Sequence, residues 1–153
     1  MASKRTSIQM TDDEVTAYLA DVHTMNVATI GPDGRIHLVA MWYGFENGNL
    51  AFWTFGRSQK IKNLERSNHI TCLVESGTEY AQLRGVEIVG TAEIVRDTER
   101  IVAIGMNTSQ RHTGMPGADS EPFIRQQAIK RLGVVIHIES IVSWDHSKLG
   151  GVY

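Results

Sequence analysis

Residues 54–60 read Thr-Phe-Gly-Arg-Ser-Gln-Lys. They follow an apolar run, Leu50-Ala51-Phe52-Trp53-Thr54-Phe55, and lead into a short helical pattern ending near Arg66. A strand that passes through glycine and then offers a guanidinium, a hydroxyl and an ammonium at a helix start is suited to holding an anion. The first turn of a helix leaves N–H groups free, and its dipole favours negative charge. Arg57 can grip two oxygens of one phosphate, while Lys60 acts as a point charge. The same residues also fit an ordinary N-cap at Ser58 with solvated basic neighbours.

Other chemistries lack their residues. Six histidines are present (His23, His37, His69, His112, His137 and His146), and none pairs at a metal-binding helix spacing, so no metal site is expected. His137 and Glu139 share a strand face and read as a solvated or cross-strand pair. Glu87 and Glu93 also share a face, but an extended strand separates them by roughly 20 Å, too far for paired carboxylate catalysis. There is no G-x-S-x-G nucleophile elbow and no G-x-G-x-x-G after a strand.

The elements that must position the anion motif follow from periodicity. Thr11-Asp12-Asp13-Glu14 reads as a capping box, and Val15, Leu19 and Val22 continue a helix to about Asp21. The period then becomes two. Met25–Ile30 is a strand, Gly31-Pro32-Asp33-Gly34 a turn, and Ile36, Leu38, Ala40 and Trp42 one face of the returning strand. Asn47-Gly48 signals a hairpin before the third strand, Leu50–Phe55. Further strands are expected at Ile70–Glu75, Gln82–Val95 and Val134–Trp144, with Gly85 and Gly90 marking bends or bulges. Two helices separate the last two strands, capped by Asp97 and by Ser120 with Pro122 in the first turn. Between them, Gly105–Asp119 reads as a long mobile stretch, with a substrate lid as the alternative.

Six strands with tight early hairpins and late helices predict a mainly β protein with flanking helices, an antiparallel barrel. Several strands are apolar on both faces: Phe52 points one way, Trp53 and Phe55 the other. One face fills the barrel, and the other is expected to be covered by a second copy of the chain, with the chain's own helices as the alternative. The 153 residues read as one domain (11–153) behind a loose polar leader (1–10). A formal net charge of −2 without a block of like charge argues against nucleic acid as a partner. No apolar run is long enough to span a membrane, and the single cysteine, Cys72, fits a reducing, cytoplasmic setting as a buried thiol.

The order helix, hairpin, strand, G-R-S-x-K helix, strand, then Leu83-Arg84-Gly85-Val86-Glu87-Ile88-Val89-Gly90-Thr91-Ala92-Glu93, resembles the pyridoxamine 5′-phosphate oxidase-like superfamily. Within it the chain is most similar to the actinobacterial flavin/deazaflavin oxidoreductases of the B type. The closing Ser143-Trp144-Asp145-His146-Ser147-Lys148-Leu149-Gly150-Gly151 adds to the likeness, which runs from Thr11 to Tyr153. The resemblance implies a six-stranded split β-barrel of the FMN-binding type, a homodimer with cofactor sites at the subunit interface. It assigns Arg57, Ser58 and Lys60 to the cofactor phosphate, with Thr54, Phe55 and Gly56 alongside. It also lays the ring system along Val39, Ala40, Met41 and Trp42 through main-chain groups. The partner copy would contribute from the start of the fifth strand and the Trp144 region. Trp42 and Trp53 fit ring contact and core packing equally. True pyridoxamine phosphate oxidases carry glutamine where this chain has Gly85, and their C-terminal segment is missing here. The resemblance therefore implies coenzyme F420 rather than FMN, with its anionic tail on Arg57, Lys60 and Lys62. It implies hydride transfer to an electron-poor double bond of a small organic acceptor, with Tyr43, His37 and Arg84 as conceivable proton donors. An FMN-dependent oxidoreductase is the nearest alternative, and a non-catalytic flavin-, deazaflavin- or haem-binding protein is the alternative from a different class.

Overall fold

We describe residues 3–21 and 24–151 of a computed structural model of the protein; the expectations placed on Val22, His23 and Tyr153 lie outside them. Helices are α1 (Lys4–Ser7), α2 (Asp12–Ala20), α3 (Gln59–Arg66), α4 (Thr98–Thr113) and α5 (Gly117–Ala128). Strands are β1 (Thr24–Ile30), β2 (Ile36–Trp42), β3 (Gly44–Glu46), β4 (Asn49–Phe55), β5 (His69–Ser76), β6 (Arg84–Val95) and β7 (Arg131–Asp145). All pairs are antiparallel, in the order β2-β1-β5-β6-β7-β4-β3. Seven strands are therefore present among the described residues, not six. The extra one, β3, is three residues long, too short for any alternation to register in sequence.

Barrel closure follows from the connectivity. Strands β2 and β3 lie at opposite edges of the sheet order, yet only Tyr43 separates them in the chain. A single residue spans too little distance to bridge a flat sheet. The sheet must curl until its edges meet at Tyr43. That residue is fully buried, and its hydroxyl donates to the Leu19 carbonyl at 2.7 Å.

The local signals explain most elements. Thr11 and Glu14 form the reciprocal capping box of α2. Asn47 and Gly48 both take positive φ (50° and 81°), the combination a type I′ hairpin needs. Gly34 (φ 79°) closes the β1–β2 turn. The β6–β7 ribbon slips register at Val89/Gly90, where a side chain on Gly90 would run into the His137 carbonyl. Residues expected to form a loose leader include α1, and Met10 is buried, its N–H donating to Ser143 Oγ at 3.1 Å.

Two apolar layers result. Met25, Val27, Leu50, Phe52, Ile70, Val74, Val86 and Ile88 fill the barrel. Burying a residue such as Phe52 completely contributes about 1.5–3 kcal/mol. Helix α3 plugs one end, where Asn63 donates to Thr29 Oγ1 at 3.0 Å; α2 closes the other, where the Tyr18 and Ser76 hydroxyls bond at 2.9 Å. Outside the barrel, Ala51 and Trp53 of β4 pack under α4 and α5 with Ile101, Ile104 and Ile124. The chain's own helices thus cover this outer face, which the sequence reading had assigned first to a second copy. The outward face of β2 keeps Ile36, Leu38 and Trp42 exposed.

The stretch 105–119 is not a long loop. Helix α4 runs through it to Thr113, Gly114 (φ 68°) terminates it in the left-handed conformation, and α5 starts at Gly117. Gly105 sits inside α4 because its missing side chain lets Trp53 and Ile124 approach; a Cβ there would lie 2.9 Å from the indole. Ser120 accordingly does not cap α5. It lies within the helix, its hydroxyl donating to the Gly117 carbonyl at 3.2 Å, and Pro116 holds the N-cap position.

Candidate functional site

Strand β4 delivers the anion motif to the α3 end of the barrel. Phe55, Gly56, Arg57 and Ser58 form a turn closed by the Ser58 N–H donating to the Phe55 carbonyl at 2.9 Å. The Gly56 N–H donates to the Lys130 carbonyl, also at 2.9 Å, so this turn is tied to the link between α5 and β7. The pairing of Phe55 with Arg131 then sets Arg57 beside Lys130 and Arg131. These residues and Arg96 surround a cleft of about 500 Å³ whose lips are Phe55 and Ile129. No carboxylate lines it. Arg96 is paired outside it with Glu65 at 2.7 Å; Arg57, Lys130 and Arg131 make no ion pair among the described residues.

Two further groups are unbalanced. Lys60 is 7% exposed, and its one hydrogen bond among the described residues is Nζ to Thr54 Oγ1 at 2.9 Å. Burial, and then the charge of Arg131, push the Lys60 ammonium below the usual lysine range. Ser58 stands at the N-cap of α3 without making the cap bond, and its buried Oγ has no partner. An ordinary cap would satisfy that hydroxyl on the helix. Of the motif, Phe55, Gly56 and Arg57 line the cleft, whereas Ser58 and Lys60 stand behind it; cations without carboxylates, a helix start and an orphaned hydroxyl are chemically suited to the phosphate of a flavin-type cofactor.

A second cleft, of about 280 Å³, adjoins the first. It lies between Trp42, Trp53, α4 and α5, and Arg131 lines both. The Arg131 guanidinium sits 4.4 Å above the Trp53 ring. Trp42 is stacked on His112 at 4.6 Å. Arg131 is the residue common to the two clefts, with Trp42 and Trp53 in one and Arg57 in the other. Val39 and Met41 turn towards the barrel core, while Ala40 and Trp42 face outward. Strand β2 pairs only with β1, so one row of its main-chain groups faces no other strand among the described residues.

The conceivable proton donors line neither cleft. Tyr43 has its hydroxyl on the Leu19 and Asp21 carbonyls, and burial pushes its pKa up to about 12; it is a structural phenol. Arg84 pairs with Asp145 at 3.1 Å and lies 4.9 Å over the Tyr18 ring, at the α2 end of the barrel. His37 lies at the start of β2 opposite Thr29, with a buried Nδ1 that has no partner. Trp144 is also remote from Arg57 within one chain. It pairs with Gly85 and lines a separate cleft with Glu87 and His146. Its indole occupies the space that any side chain at Gly85 would enter. The cations that sequence reasoning missed are Arg96, Lys130 and Arg131. The Lys130-Arg131 pair at the start of the last strand was the only local signal; strand pairing alone reveals where it goes.

The chain matches the family described as pyridoxamine 5′-phosphate oxidase over residues 11–145. The chain belongs to that family. Among solved structures it is similar to a conserved hypothetical protein from Mycobacterium tuberculosis, at 38% identity and a TM-score of 0.92, covering 99% of this chain and 95% of that one. It is also similar to an F420 reductase (23% identity, TM-score 0.63, 82% of this chain and 93% of that one). A third likeness is to HutZ, the haem storage protein of Vibrio cholerae (13% identity, TM-score 0.67, 86% and 94%). At those identities the last two likenesses establish the fold. No curated protein matches the chain. The family is one of split barrels that bind flavin-type cofactors and include oxidoreductases. Among the described residues no helix is long and apolar enough to cross a membrane, and no group of three or more metal-ligating side chains occurs.

Proposed function

We propose that the protein is an F420-dependent oxidoreductase that reduces an electron-poor double bond of a small organic acceptor. The observation that carries this reading is the uncompensated cation set around the cleft after β4: Arg57, Lys130 and Arg131, backed by the desolvated Lys60 and the orphaned Ser58 hydroxyl. One phosphate needs only part of that charge. A longer tail bearing a phosphodiester and carboxylates would use more of it, on the Arg57 and Lys130 side, which favours the deazaflavin coenzyme over FMN. The Trp144 indole beside Gly85 supports the same choice, because it occupies the space for the glutamine that the resemblance associates with true pyridoxamine phosphate oxidases.

When bound, the reduced deazaflavin supplies hydride to the acceptor. The chain's own residues bind and orient. Arg57, Ser58 and the first N–H groups of α3 hold the phosphate, with Thr54 positioning Lys60 behind them. Phe55 and Gly56 form the wall, and main-chain groups of Val39–Trp42 on the β2 edge hold the ring system. The exposed Ile36 and Leu38 face would be covered by a second copy, whose Trp144 region would complete the site. Setting of the protein in the cytoplasm belongs to the same proposal.

Titration of the purified protein with F420, following quenching of cofactor fluorescence, tests the reading. Saturable binding that weakens about tenfold or more in Arg57→Gln is the expected result. Tighter binding of FMN than of F420 would reassign the cofactor. Binding of F420 without turnover of any electron-poor acceptor would make the protein a cofactor carrier, and failure of both cofactors to bind would refute the site.

A further inference from the structure

The smaller cleft, between Trp42, Trp53 and the α4–α5 pair, has a chemistry of its own. Its walls include three aromatic rings, Trp42, Trp53 and Phe123. Its polar residues are Thr108, Ser109, Thr113, Gln127 and Arg131, and no carboxylate lines it. Thr108 is only 2% exposed, yet its Oγ1 has no hydrogen-bond partner. The neighbouring Gly44 leaves that hydroxyl room: a Cβ there would stand 2.9 Å from it. A buried hydroxyl without a partner is costly unless something satisfies it.

The walls are also held in place. The His112 imidazole lies parallel to Trp42 (interplanar angle 8°), and Gly105 lets Trp53 seat against α4. The Arg131 guanidinium carbon stands 4.4 Å from the Trp53 ring centroid, a contact that restrains the side chain while leaving its N–H fork without an ion-pair partner among the described residues. Rigid aromatic walls favour a flat π-system, and an unpaired guanidinium favours a carboxylate. At about 280 Å³ the cleft is at the small end of ligand pockets, which run from roughly 300 to 1,000 Å³. That suits one or two fused rings.

We propose that this cleft binds a planar, conjugated carboxylate of one or two rings, its carboxylate on Arg131 and its rings between the tryptophans and Phe123. Its role as the acceptor site rests on the redox reading given above; the binding itself does not.

The test uses 2-naphthoate and its uncharged amide, titrated into the full chain while intrinsic tryptophan emission is followed. Saturable quenching by 2-naphthoate is expected, with the amide about tenfold weaker for loss of the charge-assisted fork. Phe123 is exposed, so Phe123→Ala should fold normally; it should weaken 2-naphthoate about two- to tenfold through the lost ring contact while F420 affinity stays constant. Arg131→Gln should bring acid and amide to equal affinity. Absence of saturable binding at the probe's solubility limit overturns the proposal, as does equal affinity of acid and amide for the unmutated protein, or unchanged affinity in Phe123→Ala. Binding of 2-naphthoate with this pattern, in a protein that takes neither F420 nor FMN, upholds the cleft while removing its redox role.

Discussion

Replacing Lys60 by methionine separates the requirements of ligand binding from those of stability. Methionine keeps the unbranched apolar stem and removes the charge, so the volume buried at this position of α3 is largely conserved. The ammonium now sits almost wholly buried with one hydrogen bond, to Thr54, and with the positive Arg131 near by. Taking an ion out of water costs several kcal/mol, and a hydrogen bond from a charged group returns about 1.5–3 kcal/mol. The two nearly cancel, with the balance on the side of cost. Lys60→Met should therefore leave the ligand-free protein as stable or up to about 2 kcal/mol more stable, in urea unfolding. Cofactor affinity should move the other way. A charged donor lost from a phosphate is worth about 1.5–3 kcal/mol, roughly ten- to 150-fold in Kd. The pH dependence gives an independent sign. The folded lysine titrates below its unfolded value of about 10.4, so the unfolded state holds more protons between those two pKa values. Stability of the unmutated protein should rise with pH across that window, and the methionine variant should lack the rise. A destabilisation above about 1 kcal/mol, or an F420 affinity within twofold of the original, would refute the assignment of Lys60 as a charge held ready for an anion.

Other elements give equally direct expectations. Gly85→Ala forces a Cβ into the Trp144 indole and should cost about 1–3 kcal/mol in chemical denaturation, with a change in tryptophan emission. Tyr43→Phe removes a buried donor from the Leu19 carbonyl; about 1 kcal/mol of stability should go while the rate of acceptor reduction is kept, and a collapse of that rate would make Tyr43 the proton donor after all. Glu93 is held below the usual carboxylate range by its hydrogen bonds to His137 and then Arg100, and Glu46 by Arg100. Those contributions are present above the unfolded carboxylate pKa of about 4.3 and are lost as pH falls through the lower folded values. In acid unfolding, Arg100→Gln should therefore lose less stability than the unmutated protein between roughly pH 5 and pH 3.

How far the chain could be read in advance depended on the range of each interaction. The Thr11–Glu14 capping box, the Asn47-Gly48 hairpin and the Asp97 cap involve residues at most a few positions apart, and all three are found. The change to a period of two marked Met25–Ile30 as a strand, and the structure buries Met25, Val27 and Thr29 on one face of β1. The misreading of 105–119 arose from composition. Gly105, Asn107, Thr108 and Ser109 are poor or indifferent helix formers, but Trp53, Ile124 and Gly44 lie against that helix and override propensity. Likewise β3 exists only because Gly44–Glu46 finds a partner in Asn49–Ala51.

The capping box, the early hairpins, the six longer strands and the anion motif Gly56-Arg57-Ser58-x-Lys60 were legible in sequence alone, because each is encoded by neighbours within a turn or a strand. Tertiary structure decided which cations join that motif. Arg131 reaches it because β4 and β7 pair antiparallel, and Arg96 because β6 ends beside them. It also decided that Lys60 is buried, that the Ser58 hydroxyl has no partner, and that Trp42 and Trp53 share a cleft although they stand on opposite sides of the barrel's closing corner. Strand pairing across long separations sets those relations, and it obeys the packing of the whole barrel rather than any local pattern.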